Sequence, residues 1–98
     1  MVTLKHPVKF IWDKGNQNKN WLKHHVTAEE AEQAFFDPHK QKYPDPIHST
    51  QEKRRIMIGK TKKDRLLFIA YTIRNSYIRV ISARNLNTKE RPLYEKAA

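Results

Sequence analysis

Four arginines in the second half of the chain have the types and spacing best suited to chemistry on a phosphate. They are Arg54, Arg74, Arg79 and Arg84. Each falls on a predicted strand or at its end, where an arginine on a partly apolar sheet face is costly unless it is paired or solvated at a cleft. Each guanidinium offers a planar pair of donors to phosphate oxygens. Their convergence therefore predicts a phosphate site, with ordinary arginines at the sheet rim as the alternative.

Strand alternation sorts these arginines onto the two faces of the predicted sheet. Arg79 falls on the same face as Tyr77, and Arg84 falls on the opposite face with Val80. Arg54 alternates in the same sense as Ile56, and Arg74 follows at the end of the central strand.

Proton transfer near these arginines could come from a histidine and a carboxylate. His48 and Glu52 stand at the end of a long loop, just before the first basic strand. Beside arginines this pair could do general acid–base work, whereas a loop histidine without a function is the plainer alternative. Tyr94 and Tyr71 are further candidates for proton transfer or base stacking, although Tyr71 suits a core position better.

Other kinds of catalytic site lack the residues they need. The chain has no cysteine and no His-Glu-x-x-His pattern, and the adjacent His24 and His25 point in different directions, so we expect no metal site and no cofactor. Two glycines cannot form a glycine-rich phosphate loop. The serines lack the context of a catalytic triad. Any catalysis would therefore be metal-free acid–base chemistry on a charged substrate.

The positive charge is concentrated in the second half of the chain. The 98 residues carry a net charge of +10. Residues 1–50 hold seven lysines and six carboxylates, whereas residues 51–98 hold thirteen lysines and arginines and four carboxylates. A half-molecule with a net charge of +9 attracts polyanions. A generally basic surface with no specific partner is the alternative.

Length and hydropathy predict one small domain over residues 1–98. No apolar run approaches the ~18 residues of a membrane span, and the N-terminus has no secretory pattern. We therefore expect a soluble cytoplasmic protein without membrane contact.

The first half of the chain predicts one strand, two helices and a loop. Residues 8–12 are rich in strand formers, and Asp13 can cap a helix that runs to about His24. Thr27 and Glu30 form a capping box for a second helix, which ends at Asp37 before a proline. Residues 37–51, with three prolines, predict a long loop.

The second half predicts a three-stranded meander over residues 54–58, 66–71 and 77–83, with a hairpin loop at 59–64 and a tight turn at 74–76. The continuous apolar run of 66–71 is typical of a central strand. A tail helix could start near Thr88, but Pro92 keeps it short. The fold class is therefore α+β: an antiparallel sheet with two N-terminal helices packed on one face, a short C-terminal helix, and an open basic face.

Short motifs in the same order resemble the signature of the BrnT toxin family over about residues 8–95. They are Phe10-x-Trp12-Asp13, Asn20-x-x-Lys23-His24-x-Val26, Glu29-Glu30-Ala31, Phe36-Asp37-Pro38, Asp45-x-x-His48-Ser49-x-x-Glu52-x-Arg54 with Gly59, Tyr71-Thr72-x-Arg74, Arg79-Val80-Ile81-Ser82-Ala83-Arg84, and Glu90-Arg91-x-x-Tyr94. Two departures stand out. His25 occupies a position where the family usually has a helix-ending glycine, and Pro92 interrupts the charged run before Tyr94.

The resemblance implies a fold similar to the RelE toxins and the activity of a ribonuclease toxin of a type II toxin–antitoxin system. Such an enzyme inhibits translation and growth by cutting RNA through attack of the ribose 2′-hydroxyl on the adjacent phosphate. The four arginines would stabilise the phosphate, and His48, Glu52 or Tyr94 would transfer protons. The RNA-docking residues would be Lys23, Arg55, Lys62 and Lys63.

The resemblance also implies a partner, a BrnA-like antitoxin, in a 2:2 complex that binds operator DNA through the antitoxin. A non-catalytic nucleic-acid-binding or regulatory module would explain the charge equally well. A basic interaction protein with an acidic partner is a third interpretation. Cleavage of RNA, rather than salt-dependent binding, separates the first interpretation from the others.

Overall fold

The computed structural model describes residues 9–12, 14–47 and 53–95. In chain order the elements are β1 (Lys9–Ile11), α1 (Lys14–His24), α2 (Ala28–Phe35), β2 (Gln41–Pro44), β3 (Arg55–Lys60), β4 (Leu66–Arg74), β5 (Tyr77–Asn85), a 3₁₀ turn (Thr88–Glu90) and α3 (Arg91–Glu95). The predicted helices and the meander are confirmed, and the meander strands extend beyond their predicted ends. Asp13, the predicted cap of α1, lies outside the described residues.

The strands form one mixed sheet in the order β1-β5-β4-β3-β2. The prediction of an antiparallel sheet is wrong for β1, which pairs parallel to β5. A parallel pair needs a long crossover, and here the whole chain between β1 and β5 supplies it. The apolar strand β4 is central, as predicted.

The predicted loop at 37–51 contains a strand that the prolines concealed. Strand β2 pairs antiparallel with β3 at the edge of the sheet. The Asp45 N–H continues this ladder by donating to the Arg54 carbonyl at 3.2 Å. In such a ladder, donors alternate between the partner strand and the open edge, so Pro44 occupies a position whose N–H would face the edge. A proline is tolerated there because no ladder bond is lost.

The hydrophobic core lies between the two N-terminal helices and one face of the sheet, which we call the inner face. Helix α2 contributes Ala31, Ala34 and Phe35, and β4 contributes Leu67 and Ile69. The capping box that starts α2 is confirmed: the Thr27 hydroxyl accepts from the Glu30 N–H at 3.1 Å, and the Glu30 carboxylate accepts from the Thr27 N–H at 3.1 Å.

Gly59 belongs to β3 rather than to the predicted hairpin loop. It is buried, and a Cβ built on it would lie 2.4 Å from the Ala34 carbonyl oxygen. Helix α2 therefore approaches β3 more closely than any side chain at residue 59 would allow.

Helix α1 ends at a histidine in the left-handed conformation. His25 has a φ of 53°, its N–H donates to the Trp21 carbonyl, and the Val26 N–H donates to the Asn20 carbonyl. This is the geometry that a glycine usually supplies at a helix C-terminus. Helix α1 therefore ends in the usual left-handed geometry, although His25 stands where a glycine is expected.

The tail forms the predicted short helix, with Pro92 in its first turn, where the absence of an N–H costs little. This segment packs against the sheet face opposite α1 and α2, which we call the outer face. Tyr43 projects from that face, and its hydroxyl donates to the Leu93 carbonyl at 2.6 Å. The expectation that the outer face is entirely open is therefore wrong at this end.

Candidate active site

A bulge in β5 brings Arg79 and Arg84 onto the same face of the sheet. Ala70 pairs with Ser82 but Tyr71 pairs with Val80, so Ile81 has no partner on β4. One extra residue reverses the alternation beyond it. The prediction that Arg79 and Arg84 lie on opposite faces is therefore wrong, because strand parity alone does not reveal a bulge.

Three of the four predicted arginines gather at one end of the outer face, and we call them the arginine cluster: Arg54, Arg74 and Arg79. Arg79 is the cross-strand partner of Thr72, and Arg74 lies two residues beyond Thr72 on the same face. Diagonal neighbours of this kind have Cβ atoms about 7 Å apart. Continuing the β3–β4 register places Arg54 opposite Thr72, on the side away from Arg79. Arg54 and Arg79 therefore flank Thr72 on the two neighbouring strands, about 10 Å apart.

Among the residues that the structure describes, none forms a hydrogen bond with the Thr72 hydroxyl between these arginines. Thr72 is 1% exposed, and its Oγ1 is a buried polar atom without a bond. Such a group is costly to leave unsatisfied, and it can donate to an oxygen bound between the arginines. Sequence reasoning quoted Thr72 only as part of a motif and gave it no role, because a threonine in a central strand has no distinctive pattern.

Asp45 is a second residue that sequence reasoning quoted only as part of a motif. It is 8% exposed, and its N–H bonds the Arg54 carbonyl. Alternation along the strand places it on the outer face next to Arg54. A buried carboxylate therefore stands at the margin of the arginine cluster.

Arg84 lies away from the cluster and is bound to a carboxylate. Arg84 pairs with Phe68 on β4. Phe68 lies four residues from Thr72 along that strand, a distance of about 13 Å. The Arg84 guanidinium makes two bonds to Glu90, at 2.9 and 2.7 Å, and lies 4.1 Å from the Phe68 ring centroid. Hydrogen bonds from Arg84 lower the pKa of Glu90 despite its partial burial. The predicted convergence of four arginines is therefore a convergence of three.

Tyr94 is also remote from the cluster. Its hydroxyl donates to Asp37 Oδ2 at 2.6 Å, and the same carboxylate oxygen accepts from the Lys60 N–H at 2.9 Å. Lys60 and Arg54 are six residues apart on an extended chain, which is about 20 Å. Burial and the neighbouring Asp37 carboxylate raise the pKa of Tyr94 well above its ordinary value, so its hydroxyl stays protonated.

The remaining predicted residues fall into three groups. His48 and Glu52 lie outside the described residues. Lys23 lies in the last turn of α1, on the inner side of the sheet, and Lys62 and Lys63 lie in the turn after β3. These three lysines are separated from the arginine cluster by the sheet or by its length.

Tyr71 is a core residue, as expected. It is 2% exposed and packs edge-on against Phe35 with ring centroids 5.1 Å apart. Burial raises the pKa of its hydroxyl, with a smaller opposite effect from Arg55. Arg55 itself is exposed beside Tyr71, on the inner face of the same strand segment that carries Arg54.

Within residues 9–12, 14–47 and 53–95, no three His, Asp or Glu side chains are grouped to hold a metal ion. The helices in this part of the chain are all too short or too polar to span a bilayer.

These features define a small α+β protein with a cationic cluster around an unbonded hydroxyl on one sheet face, a site suited to the phosphates of a polyanion. A family model described as ribonuclease toxin, BrnT, of type II toxin–antitoxin system matches residues 12–90. The match covers most of the chain, so this protein belongs to the BrnT family of ribonuclease toxins.

A solved structure agrees with this assignment at the level of the fold. The 1.1 Å crystal structure of the Brucella abortus ribonuclease toxin BrnT superposes with a TM-score of 0.64 at 21% identity. The match covers 83% of this chain and 99% of the Brucella chain. A comparison with curated protein sequences gives no match.

Proposed function

We propose that this chain is a metal-independent endoribonuclease whose arginine cluster binds and stabilises the scissile phosphate. The observation that carries the proposal is the straddling of the buried, unbonded Thr72 hydroxyl by Arg54 and Arg79. Cations aimed at the charge that develops on a phosphorane supply much of the acceleration in such reactions. The family's description as ribonuclease toxins supports the same activity.

The reaction proposed is an internal transfer on RNA. The ribose 2′-oxygen attacks the adjacent phosphorus while a base accepts its proton. The bond from phosphorus to the leaving 5′-oxygen breaks, and an acid protonates that oxygen. The products are a 2′,3′-cyclic phosphate and a free 5′-hydroxyl. His48 and Glu52 are the proposed base and acid, with the assignment between them open.

Arg84 and Tyr94 receive a different role in this proposal. Both are bound to carboxylates, Arg84 to Glu90 and Tyr94 to Asp37, and both contact the C-terminal segment rather than the arginine cluster. We assign them to positioning that segment, and we keep phosphate binding for Arg54, Arg74 and Arg79.

The proposed biology follows from the family. We propose translation inhibition in the cytoplasm, a RelE-like grouping of the fold, and neutralisation by a BrnA-like antitoxin in a 2:2 complex that binds operator DNA through the antitoxin. The net charge of +9 in residues 51–98 supports an acidic segment of the antitoxin as the group that covers the cluster.

Cleavage of RNA in EDTA tests the activity. We expect the purified protein to cut RNA to 2′,3′-cyclic phosphate ends with EDTA present, and Arg79→Ala to slow cleavage by about 100-fold or more. Arg79→Lys should recover only part of the rate, because lysine keeps the charge but loses the planar pair of donors. Lys89→Gln, which removes an exposed charge in the 3₁₀ turn, is the control and should retain the wild-type rate.

RNA binding without cleavage by soluble, folded protein would support the non-catalytic module instead. Loss of cleavage in EDTA with recovery on adding a divalent cation would refute metal independence. In cells without an antitoxin, induced expression should arrest growth, and Arg79→Ala at equal soluble expression should relieve the arrest.

A further inference from the structure

A small cationic groove lies at the β2–β3 edge of the sheet, outside the arginine cluster. We define the groove by Lys42, Tyr43, Pro44, Lys53 and Arg55, which enclose a cavity of about 210 Å³. Among the described residues that line it, three are cations and none is a carboxylate. A cavity of this kind has room for an anionic group, and the described residues that line it carry no negative charge to neutralise its cations.

The strand register explains how the cations come together. Lys42 pairs with Met57, and Pro44 pairs with Arg55. Lys42 and Arg55 are therefore diagonal neighbours on the inner face, with Cβ atoms about 7 Å apart. Lys53 precedes Arg55 by two residues and alternates to the same face. Helix α2 covers β3 and β4 further along, so the groove remains at the exposed margin.

The electrostatics of the groove favour a bound anion. Partial burial lowers the pKa of Lys42, and the positive charges of Lys40 and Arg55 lower it further. Like charges held together destabilise one another until an anion is placed between them. A phosphate here would accept from the Arg55 fork and from two ammonium groups.

The groove and the arginine cluster are joined by three consecutive residues. Lys53 and Arg55 face the groove, and Arg54 between them faces the cluster. A strand bound at Arg54 can therefore pass around the sheet edge and reach the groove within a short length.

We propose that the groove is a second RNA subsite that binds a backbone phosphate flanking the scissile phosphate. This inference rests on the proposed function, because it takes the arginine cluster as the site of cleavage. The alternative occupant is an acidic polypeptide. The groove favours RNA because its guanidinium fork and two lysines continue directly, through Arg54, from the arginine cluster that binds the scissile phosphate.

Binding of an RNA that cannot be cleaved tests the subsite independently of catalysis. The probe is a 20-nucleotide strand in which every ribose is 2′-O-methylated. Lys42→Gln/Lys53→Gln should raise its Kd about tenfold near 0.1 M salt and reduce the slope of log Kd against log salt by about 1.4. The matched control, Lys19→Gln/Lys89→Gln, also removes two exposed lysines and should change the Kd less than twofold.

Cleavage of short and long strands then shows where the effect lies. The groove variant should lower kcat/KM about tenfold on a 20-nucleotide RNA, chiefly through KM, and leave cleavage of a dinucleotide at the wild-type rate. Arg55→Lys should weaken binding of the long strand less than the double variant, since its charge remains. If wild-type protein cuts no RNA, the proposed function fails, and the methylated probe still tests the groove.

Two results would overturn the subsite. One is equal loss of RNA binding in the groove variant and in the control pair. The other is unchanged RNA binding with at least tenfold weaker binding of a 20-residue poly-glutamate peptide, which would assign the groove to an acidic polypeptide.

Discussion

Arg79 and Arg84 carry the same side chain on the same strand face, but their surroundings differ. Arg79 lies beside the unbonded Thr72 hydroxyl, whereas Arg84 is bound to both oxygens of Glu90 and stacked on Phe68. A guanidinium with its donors already on a carboxylate must break that pair before it can bind a phosphate. Residue type therefore identifies candidates, and their positions on the sheet separate them.

The Arg84–Glu90 pair should contribute to folding. The side chains are 34% and 17% exposed, which is intermediate between a surface pair and a buried one. We expect Arg84→Ala and Glu90→Ala in a double-mutant cycle to show a coupling of about 1 kcal/mol in urea unfolding. A coupling near zero would contradict the structural role, and a loss of RNA cleavage greater than that of Arg79→Ala would return Arg84 to the active site.

His25 should show the cost of a left-handed residue with a side chain. A non-glycine residue in this conformation costs about 1–2 kcal/mol, and the ring of His25 offsets part of that by its edge contact with Trp21, at 5.3 Å between centroids. The variants His25→Gly and His25→Ala both lack the imidazole ring, so their difference in stability reports the backbone conformation alone. We expect His25→Gly to be about 1 kcal/mol more stable than His25→Ala in urea unfolding. The reverse order would show that φ at residue 25 is not positive in solution.

At the scale of elements, the close approach of α2 to β3 depends on a glycine. The Ala34 carbonyl oxygen occupies the space in which a Cβ of residue 59 would lie. The contact is backbone against backbone, so no side chain can rotate away to make room. The same close contact positions α2 over β3, the strand that begins at Arg55, directly after Arg54.

Gly59→Ala should therefore destabilise the fold. Inserting a methyl group where the nearest atom belongs to backbone forces a shift that costs about 1–3 kcal/mol. Gly15→Ala in the first turn of α1 is the control, because Gly15 is exposed and an added methyl group there should not destabilise the fold. Thermal unfolding checks both changes, and a Gly59→Ala variant as stable as wild type would contradict the packing described for α2.

At the scale of the whole molecule, a few carboxylates form hydrogen bonds and an ion pair between segments that are far apart in this very basic chain. Asp37 links the end of α2 to the Lys60 N–H and to Tyr94 in the tail. Glu30 links the start of α2 to Arg65, whose guanidinium also donates to the carbonyls of residues 24 and 25. Burial raises the pKa of Asp37, but hydrogen bonds from Tyr94, His39 and Lys60 outweigh it and lower the pKa overall.

Stability should therefore fall in acid because of Asp37. A carboxyl whose pKa is lower in the folded state stabilises the fold above its unfolded pKa of about 3.9, and that stabilisation is lost as the pH falls through the folded value. We expect Asp37→Asn to be about 2 kcal/mol less stable than wild type at pH 7 and the difference to shrink below about pH 4. Glu29→Gln, an exposed change on α2, is the control. A difference that is constant down to pH 2.5 would contradict this role.

Much of the architecture was predictable because local signals agreed with the tertiary fold. The capping box at Thr27, the apolar run of β4 and the proline in the tail each act within a few residues. Strand β2 was not predictable in this way, since Pro44 is tolerated only because β2 lies at an edge. The parallel pairing of β1 with β5 joins segments at opposite ends of the chain, and no local pattern encodes it.

The sequence by itself determined the kinds of chemistry open to this protein: an arginine-rich second half without cysteine, and motifs in the order of the BrnT family. Only the tertiary structure decided which arginines lie near one another. The bulge at Ile81 reversed the alternation of β5, and distance separated Arg84 and Tyr94 from the cluster. The strand register showed that the buried Thr72 lies at the centre of the cluster. Residue type is a local property, whereas bulges, register and bonding partners depend on contacts between segments far apart in the chain.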